Sequence, residues 1–579
     1  MNVQEVIVRF AREGTPDDVE LDPTRTYLVS INGGPRSVFR SPWTQIVLEE
    51  RIASLRNTSE DKPDMKALKQ IGRELGEAVY RIHGLPALLQ AGTTVYWQLD
   101  YPELARIPWE LTTTDQPPYR HLLLQDIAFV RCVPAAIPDR PVEWPTGRNE
   151  KLRLLFAWSE GAGNEVPHEI HLKSLERICK DYDVYFTAAE VSDLQALQHL
   201  CSSERFHFCH LLAHGARTKN GEWGLRFRSE IASGERIART LIAGGTSPAL
   251  VTVSACDSAN EMNNSFSSVA YYLHVYGIPL VLASQFRLRK NLSSTSTARV
   301  YEELLGGGDV FGIVSRLRQQ LAPADNEAWA NEVLYSRYRQ EVLEGFSVVA
   351  RQQAALRRAR SIAKNSSENI EAAIGALENE SKKLLELVMK LENRRPRDRE
   401  ALAETYGLLG SLRRRIAERR ADPPDQEELR SSLAYYEKGF RADANSHFCG
   451  INVVHLCLRL GEQEKADEFI PRVRYAAEND ARQEDNFWAY ASAGDLEVYA
   501  GRAKEAAECY REFVRAVEKQ PSDKDAKHDI FQSSYGPLQQ ILKQFSETDF
   551  PRLHQAAKVV LVVLDSAISR HSESSGKNQ

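Results

Sequence analysis

The stretch FHFCHLLAHG, residues 206–215, is a nearly unbroken apolar run that ends in a histidine and a glycine. Helical patterns at 171–182 and 192–203 precede it. Four further runs of the same kind lie nearby: KLRLLFAWS (151–159), DVYFTAAE (183–190), LVTVSACDS (250–258) and PLVLASQF (279–286). Near-continuous apolar strands joined by helices are typical of a mainly parallel sheet with helices on both faces. The sequence therefore predicts an α/β domain of this kind.

The rest of the chain, from about residue 346, has the pattern of successive amphipathic helices. Tetratricopeptide repeats place small residues where their two helices approach and an aromatic residue in the gap between neighbours. Two sets of residues match this pattern: Gly494, Ala506 and Tyr510, and, at longer spacing, Gly410, Ser432 and Tyr436. We therefore predict an all-α tetratricopeptide-like repeat domain after the α/β domain.

These patterns divide the chain into four segments. We expect the first part of the α/β region over 1–145 and its core over 146–345. Helical repeats are expected over 346–545, followed over 546–579 by a terminal helix and a disordered tail, SRHSESSGKNQ (569–579).

The composition argues against several classes of protein. The net charge of −6 over 579 residues gives no reason to expect nucleic acid or an anionic membrane as a direct partner. The basic clusters NRRPRDRE (393–400) and RRRIAERR (413–420) are interleaved with acidic residues, so we interpret them as solvated helix faces. Eight dispersed cysteines, no signal-peptide core and no run of 18 apolar residues predict a cytoplasmic protein. The phosphate-loop motif GxxxxGK[ST] is absent, and we expect no cofactor.

His214 and Cys256 both stand at the carboxyl ends of predicted strands, where sites form in open parallel sheets. A cysteine nucleophile needs its thiolate, and a neighbouring histidine supports that charge and carries the proton to the leaving group. The backbone amides of Gly215 and Cys256 could face a developing oxyanion. Taken singly, however, each residue is more often buried core than catalyst.

A metal site at His207, His210 and His214 is a weaker alternative. In a strand, His207 and His210 point to opposite faces, and His210 and His214 lie about 13 Å apart. Zinc requires ligand nitrogens near 2 Å from the metal. We therefore expect no metal site here.

The motifs HLLAHGA (210–216) and VSACDSA (253–259) resemble the His and Cys motifs of the CHAT domain, a caspase-like peptidase domain related to separase, caspases and gingipains. LARIPWELTTTD (104–115) with 119–134 resembles its upstream segment, and 277–310 resembles its closing strand and helix, so that the resemblance covers about residues 1–340. It implies that His214 is the general base and acid, that Cys256 is the nucleophile, and that the amides of Gly215 and Cys256 form the oxyanion hole.

The chain departs from its separase-type relatives at the position of their specificity pocket. Those relatives carry acidic residues shortly after the SLW that SQF (284–286) replaces, whereas RLRKN follows here and contains Arg287 and Lys290. Basic residues at this place disfavour an Arg or Lys at P1, so we expect a non-basic P1. Two alternatives stay open: Asp257 supplies a negative charge, or the basic residues are solvated loop residues.

The helical half resembles the repeat region called the TRAF-binding domain of stress-signalling kinase kinase kinases, over about 400–520. The segments 433–466 and 485–510 carry this resemblance, although Cys449 stands where proline usually precedes Gly-Ile-Asn. It implies a helical module that binds a partner protein.

The leading hypothesis is a cysteine endopeptidase that cleaves a protein substrate. Its repeats would bind a regulatory protein or complex, and such architectures often belong to prokaryotic signalling or antiviral defence. A non-catalytic caspase-like scaffold is the main alternative, although a scaffold needs neither His214 nor Cys256. A redox sensor at Cys256 is a third possibility, weakened by the absence of a nearby resolving cysteine.

Overall fold

A computed structural model describes residues 4–12, 20–56, 65–134, 152–160, 166–219, 223–255, 267–285, 290–322, 327–364, 370–393, 398–481, 486–520 and 524–572. The described residues form two compact units, and the division lies between residues 350 and 351. We describe each unit by itself.

The first unit alternates strands and helices. Its strands and helices up to residue 190 are β1 (Gln4–Ala11), β2 (Tyr27–Ile31), β3 (Arg36–Phe39), α1 (Gln45–Arg56), α2 (Met65–Tyr80), β4 (Thr93–Gln98), α3 (Pro102–Ala105), β5 (Ala128–Cys132), β6 (Arg153–Trp158), α4 (His168–Asp181) and β7 (Tyr185–Glu190). Those that follow are α5 (Leu194–Ser203), β8 (Phe208–Arg217), β9 (Trp223–Arg226), β10 (Ile231–Ser233), α6 (Gly234–Leu241), β11 (Leu250–Ala255), α7 (Ser267–Val275), β12 (Leu280–Ser284), α8 (Lys290–Leu305), α9 (Val310–Leu321) and β13 (Glu332–Ser336).

These strands form one sheet in the order β10-β9-β8-β11-β12-β13-β5-β4-β1-β2-β3, and β6 pairs with both β7 and β8. The five strands predicted from apolar runs appear as β6, β7, β8, β11 and β12, and the pairs that join them to one another are all parallel. The prediction of a mainly parallel core is therefore confirmed. The antiparallel neighbour β13 and the β9–β10 pair were not predicted.

Helices cover both faces of the sheet, as predicted. One face packs into the main hydrophobic core with α5, α6 and α7; its strand residues include Leu211, Ala213, Val253 and Ala255. The other face is more polar and packs against α4 and α8, which hydrogen-bond to side chains of β8 and β11. Because side chains alternate along a strand, His210, Leu212 and His214 share this polar face.

The second unit is all α-helical. It contains the end of α10 (Gln340–Lys364), then α11 (Ile370–Asn393), α12 (Arg399–Arg420), α13 (Gln426–Ala442), α14 (His447–Arg459), α15 (Gln463–Ala481), α16 (Phe487–Tyr499), α17 (Ala503–Lys519), α18 (Lys524–Gln544) and α19 (Pro551–Ser572). Consecutive helices pack in pairs, with α12 on α13, α14 on α15 and α16 on α17. The predicted repeat domain is therefore confirmed.

The small and aromatic residues of the repeat pattern contact each other as predicted. A Cβ built on Gly494 would lie 2.5 Å from the Tyr510 ring, and one on Gly410 would lie 2.7 Å from the Tyr436 ring. The Ser432 hydroxyl donates to the Gly410 carbonyl at 2.7 Å. Glycine at these positions therefore allows the two helices of a pair to approach closely.

Two expectations for the helical half were wrong. The cluster RRRIAERR is not a solvated face, because Arg413 and Arg420 bind Glu428 of the neighbouring helix and Arg414 donates to Asn452 at 3.0 Å. Carboxylates and amides of adjacent helices thus pair with these guanidinium groups. The predicted tail also begins too early, since α19 continues to Ser572. The remainder of the tail lies outside the described residues.

A pair of glycine substitutions tests the repeat packing. Gly410→Ala should lower the free energy of unfolding of the helical unit by about 1–3 kcal/mol, because its methyl group would overlap the fully buried Tyr436 ring. Gly375→Ala on α11 is the matched control, since nothing lies within 4 Å of its Cβ position. It should raise stability by about 0.5–1 kcal/mol through helix propensity. Urea unfolding followed by circular dichroism measures the stability of both variants. Equal changes in stability would contradict the close packing of Gly410 against the Tyr436 ring.

Candidate active site

His214 lies where the neighbour of strand β8 changes. Leu212 is the last residue of β8 that pairs with β6, opposite Trp158, and His214 pairs with Arg226 of the antiparallel strand β9. The histidine is only 5% exposed. Positions at the carboxyl end of parallel strands, where neighbouring connections diverge, are where open α/β sheets form clefts. The location therefore suits a site residue held by rigid backbone.

Strand β11 runs beside β8 in parallel, and Ala255 pairs with Ala213. In the sequence, Ala213 immediately precedes His214 and Ala255 immediately precedes Cys256. The structure thus aligns the two strands at the residues before the predicted dyad. Cys256 itself lies outside the described residues.

The same holds for the residues predicted to bind substrate. Asp257 and Arg287 lie outside the described residues, and Lys290 is described only as the first backbone position of α8. Of the predicted site, the structure therefore describes the side chain of His214 and the backbone of Gly215.

The direction of the Gly215 amide follows from the hydrogen bonds of β8. The Leu212 carbonyl accepts from the amide of Ser159 at 3.0 Å, on the β6 side of β8, and β6 and β9 both lie on the side of β8 opposite β11. Backbone groups of successive strand residues point to opposite neighbours, so odd-numbered residues of β8 face β11. The N–H of Gly215 therefore points toward the β11 side and not toward β9.

A chain of hydrogen bonds lies on the same sheet face as His214. His171 Nδ1 on α4 is 3.1 Å from His210 Nε2, and His210 Nδ1 is 2.7 Å from Thr252 Oγ1 on β11. At its two ends, Thr252 Oγ1 lies 2.8 Å from the Tyr301 hydroxyl, and His171 Nε2 lies 3.1 Å from Ser293 Oγ. Ser293 and Tyr301 are both on α8, so this chain ties two helices to β8 and β11.

Both histidines of this chain are buried. Burial lowers the pKa of His171 to about 4 and the pKa of His210 well below its usual range, the latter also through its neighbour His171. The two rings are therefore neutral near pH 7, and each presents one N–H and one acceptor nitrogen. With both rings neutral, each hydrogen bond of the chain can therefore be formed by one N–H or O–H donor.

The histidines considered for a metal site have other partners. His210 belongs to the chain above, and His207 Nδ1 accepts from the amide of Arg153 at 3.0 Å. Within the described part of the chain, no group of three or more His, Cys, Asp or Glu side chains could hold a metal ion.

One acidic residue on the polar face was missed by the sequence analysis. Glu332 begins β13 and pairs with Ser284 of β12. It is 7% exposed, and burial raises the pKa of its carboxyl group to about 7, against the opposing charge of Arg318. The sequence feature that could have identified Glu332 is its position directly before the apolar run VLYS (333–336).

The family comparison matches this architecture. The CHAT domain model matches residues 69–362, about half of the 579 residues. The chain belongs to the CHAT-domain family. This family is one of caspase-like peptidases, as the resemblance of the His and Cys motifs predicted. The CHAT match begins within α2, although β1, β2 and β3 extend the same sheet.

A second model, Tetratricopeptide Repeats-Sensor, matches residues 314–458 and confirms the predicted order of a CHAT domain followed by repeats. No curated protein matches the chain. Among solved structures, a chain called "DHF119 filament" is 18% identical and covers 40% of this chain and 99% of its own, with a TM-score of 0.15. A similarity with so low a TM-score gives no information about the fold or function of this chain. Among the described helices, none is long and apolar enough to cross a membrane.

Proposed function

We propose that this CHAT-domain protein is a cysteine endopeptidase in which Cys256 is the nucleophile and His214 the general base and acid. The pairing of Ala213 with Ala255 carries the proposal, because the two residues that follow in sequence are His214 and Cys256. Adjacent parallel strands lie about 4.8 Å apart, a separation that suits a thiol and an imidazole in one hydrogen-bonded pair. The membership of a caspase-like family supports the same roles.

The proposed reaction follows from these roles. His214 takes the thiol proton, and the Cys256 thiolate attacks the carbonyl carbon of the scissile peptide. The Gly215 N–H, which points toward β11, and the Cys256 N–H would donate to the developing oxyanion. His214 then returns the proton to the leaving amine, and water hydrolyses the acyl-enzyme.

We further propose that the helical repeats bind a regulatory protein or complex and thereby control or recruit the substrate. Repeat arrays offer extended surfaces for partner proteins, and the matched family model describes these repeats as a sensor. The segments 1–145, 146–345, 346–545 and 546–579 remain our proposed domain division. A role in cytoplasmic signalling or antiviral defence, without direct binding of nucleic acid, is part of this proposal.

Alkylation tests the nucleophile without knowledge of the substrate. At pH 7, limiting iodoacetamide should modify Cys256 at least about tenfold faster than any other cysteine, because the thiolate is the reactive form. Burial raises the pKa of other thiols: to about 12 for Cys179 and Cys201, to about 11 for Cys457, and upward for Cys132, Cys209 and Cys509.

The control is His214→Ala, which should slow alkylation of Cys256 at least about tenfold and leave the other cysteines unchanged. Peptide mass mapping locates the label. Modification of Cys256 that is indifferent to His214 would contradict the dyad and favour the scaffold or the redox sensor.

A further inference from the structure

Glu332 shares the polar sheet face with the proposed dyad. Ser254 of β11 pairs with Leu212 of β8. Val253 of β11 pairs with Ala283 of the parallel strand β12, so the residues that follow them, Ser254 and Ser284, lie opposite each other. Ser284 of β12 in turn pairs with Glu332 of β13. Residues that face each other across paired strands point to the same side. The side chains of Ser254, Ser284 and Glu332 therefore follow one another across the face that carries His214.

The spacing of the strands brings Glu332 within reach of a substrate side chain. Two strand intervals of about 4.8 Å separate β11 from β13, so the Cα atoms of Ser254 and Glu332 lie about 10 Å apart. Ser254 is two residues before Cys256 in the sequence. A long side chain on the P1 residue, lying along this face from β11 toward β13, can meet the Glu332 carboxylate.

The Glu332 carboxyl group is largely buried, and the charge of Arg318 offsets only part of the cost of that burial. It makes no hydrogen bond or ion pair with any other residue that the structure describes, although the side chain is only 7% exposed. The nearby Arg318 of α9 donates instead to the Glu332 main-chain carbonyl, at 2.6 Å. A largely buried carboxyl group whose charge is only partly offset destabilises a fold. Such a cost is common where a group serves binding or catalysis.

The other charged groups around β13 leave room for this role. Arg318 faces Glu332 from α9 and partly offsets its charge. Arg131 of β5 is paired with Glu110 and pairs in register with Tyr335, which places it on the opposite sheet face. From β12, Ser284 is the residue paired with Glu332, and it is uncharged.

We propose that Glu332 recognises a basic P1 side chain of the substrate. The proposal rests on the peptidase function proposed above. It reverses the sequence-based expectation of a non-basic P1, which considered only Asp257 and the RLRKN segment. A lysine or arginine side chain would donate charge-assisted hydrogen bonds to this carboxylate.

A positional-scanning peptide library, read on the full chain with its activating partner, tests the proposal. Wild type should cleave after Arg or Lys. Glu332→Gln should lower kcat/KM for basic P1 by about 10- to 100-fold, mainly through KM, while apolar P1 peptides change little. Glu302→Gln, an exposed glutamate of α8, is the matched control and should change neither.

The pH profile adds a readout that a structural role would not produce. The pKa of the Glu332 carboxyl group is raised to about 7. For basic P1 peptides, kcat/KM should therefore rise through about pH 7 more steeply than for apolar P1 peptides. Glu332→Gln should remove this difference. Glu332→Asp keeps a carboxylate and should retain part of the basic preference if the Gln variant folds poorly.

The outcomes separate this inference from the function on which it rests. If iodoacetamide still labels Cys256 in a His214-dependent way but wild type prefers a non-basic P1, the Glu332 proposal is wrong and the peptidase stands. Basic preference that survives in Glu332→Gln also overturns it and points to Asp257. If no peptide is cleaved and Cys256 is not selectively labelled, the peptidase function fails first.

Discussion

Replacing Cys256 with alanine is expected to abolish cleavage of the natural substrate, with a loss of at least about a thousandfold in kcat. No other group in the proposed mechanism can form the acyl-enzyme. The fold should persist, because exchanging a small thiol for a methyl group creates little cavity and changes stability by only about 1 kcal/mol. Cleavage assays with the activating partner present, together with thermal unfolding of the same samples, measure both effects.

Cys209→Ala is the matched control for this experiment. Cys209 lies on β8, 1% exposed, within the hydrophobic core on the sheet face opposite His214. Burial raises the pKa of its thiol far above the usual range, so it is not a nucleophile at neutral pH. This variant should retain cleavage. Activity that survives in Cys256→Ala, or that disappears in Cys209→Ala with an intact fold, would contradict the proposed nucleophile.

Strands β8, β11 and β12 were predictable because each is buried on both faces. Such strands have continuous apolar runs, and β8 and β12 appear within a few residues of the predicted boundaries. Strand β13 escaped prediction for a physical reason. Its five residues, EVLYS, are too few to show a period, and its antiparallel place beside β12 depends on pairing and not on local sequence.

The repeats were predictable from side-chain size. Gly494 and Tyr510 stand sixteen positions apart on α16 and α17, and their contact requires a residue without a side chain on one helix. The ion pairs of the basic residues Arg413 and Arg420 were not predictable in this way. Their partner Glu428 belongs to the next helix, and a charge pattern read along one helix does not show which neighbour will approach.

The hydrogen-bonded chain beside His214 was hidden for a related reason. His171, His210 and Ser293 are brought together from α4, β8 and α8. Sequence patterning identifies His210 as buried in a strand but not the groups that satisfy its two nitrogens. Long-range contacts of this kind follow from the topology, and here they connect the helices to the strand that contains His214 and to the strand that ends just before Cys256.

The buried histidines should make the α/β unit sensitive to mild acid. Because folding lowers the pKa of His171 from its ordinary value of 6.5 to about 4, the unfolded chain binds more protons than the folded one between these values. The contribution of His171 to the free energy of unfolding is therefore fully present above about pH 6.5 and is lost as the pH falls toward 4. His210 changes in the same direction, as do His121, with a pKa lowered to about 4, and His274, lowered to about 3.

His171→Gln should flatten this pH dependence. A pKa difference of about 2.5 units corresponds to about 3 kcal/mol, which the wild type loses through His171 between pH 7 and 4 and the variant does not. At pH 7 the variant should instead be less stable by about 1–2 kcal/mol, since the amide cannot preserve both hydrogen bonds of the ring. Denaturant unfolding of the full chain at several pH values, followed by tryptophan fluorescence, measures the two curves.

His199→Gln, at an exposed position of α5, serves as the control and should leave the pH dependence unchanged. Glu332 acts in the opposite direction, because a carboxyl group whose folded pKa is raised to about 7 destabilises the fold as the pH rises from 4.5 to 7. The free energy of unfolding of the wild type should therefore pass through a maximum as the pH is varied. Below this maximum the loss of stability comes mainly from the buried histidines, because several of them contribute. A His171→Gln curve parallel to the wild type from pH 7 to 4 would show that folding does not lower the pKa of this ring, which would then take up its proton in the folded protein as it does in the unfolded chain. The hydrogen-bonded chain would then have a different proton arrangement from the neutral one derived above.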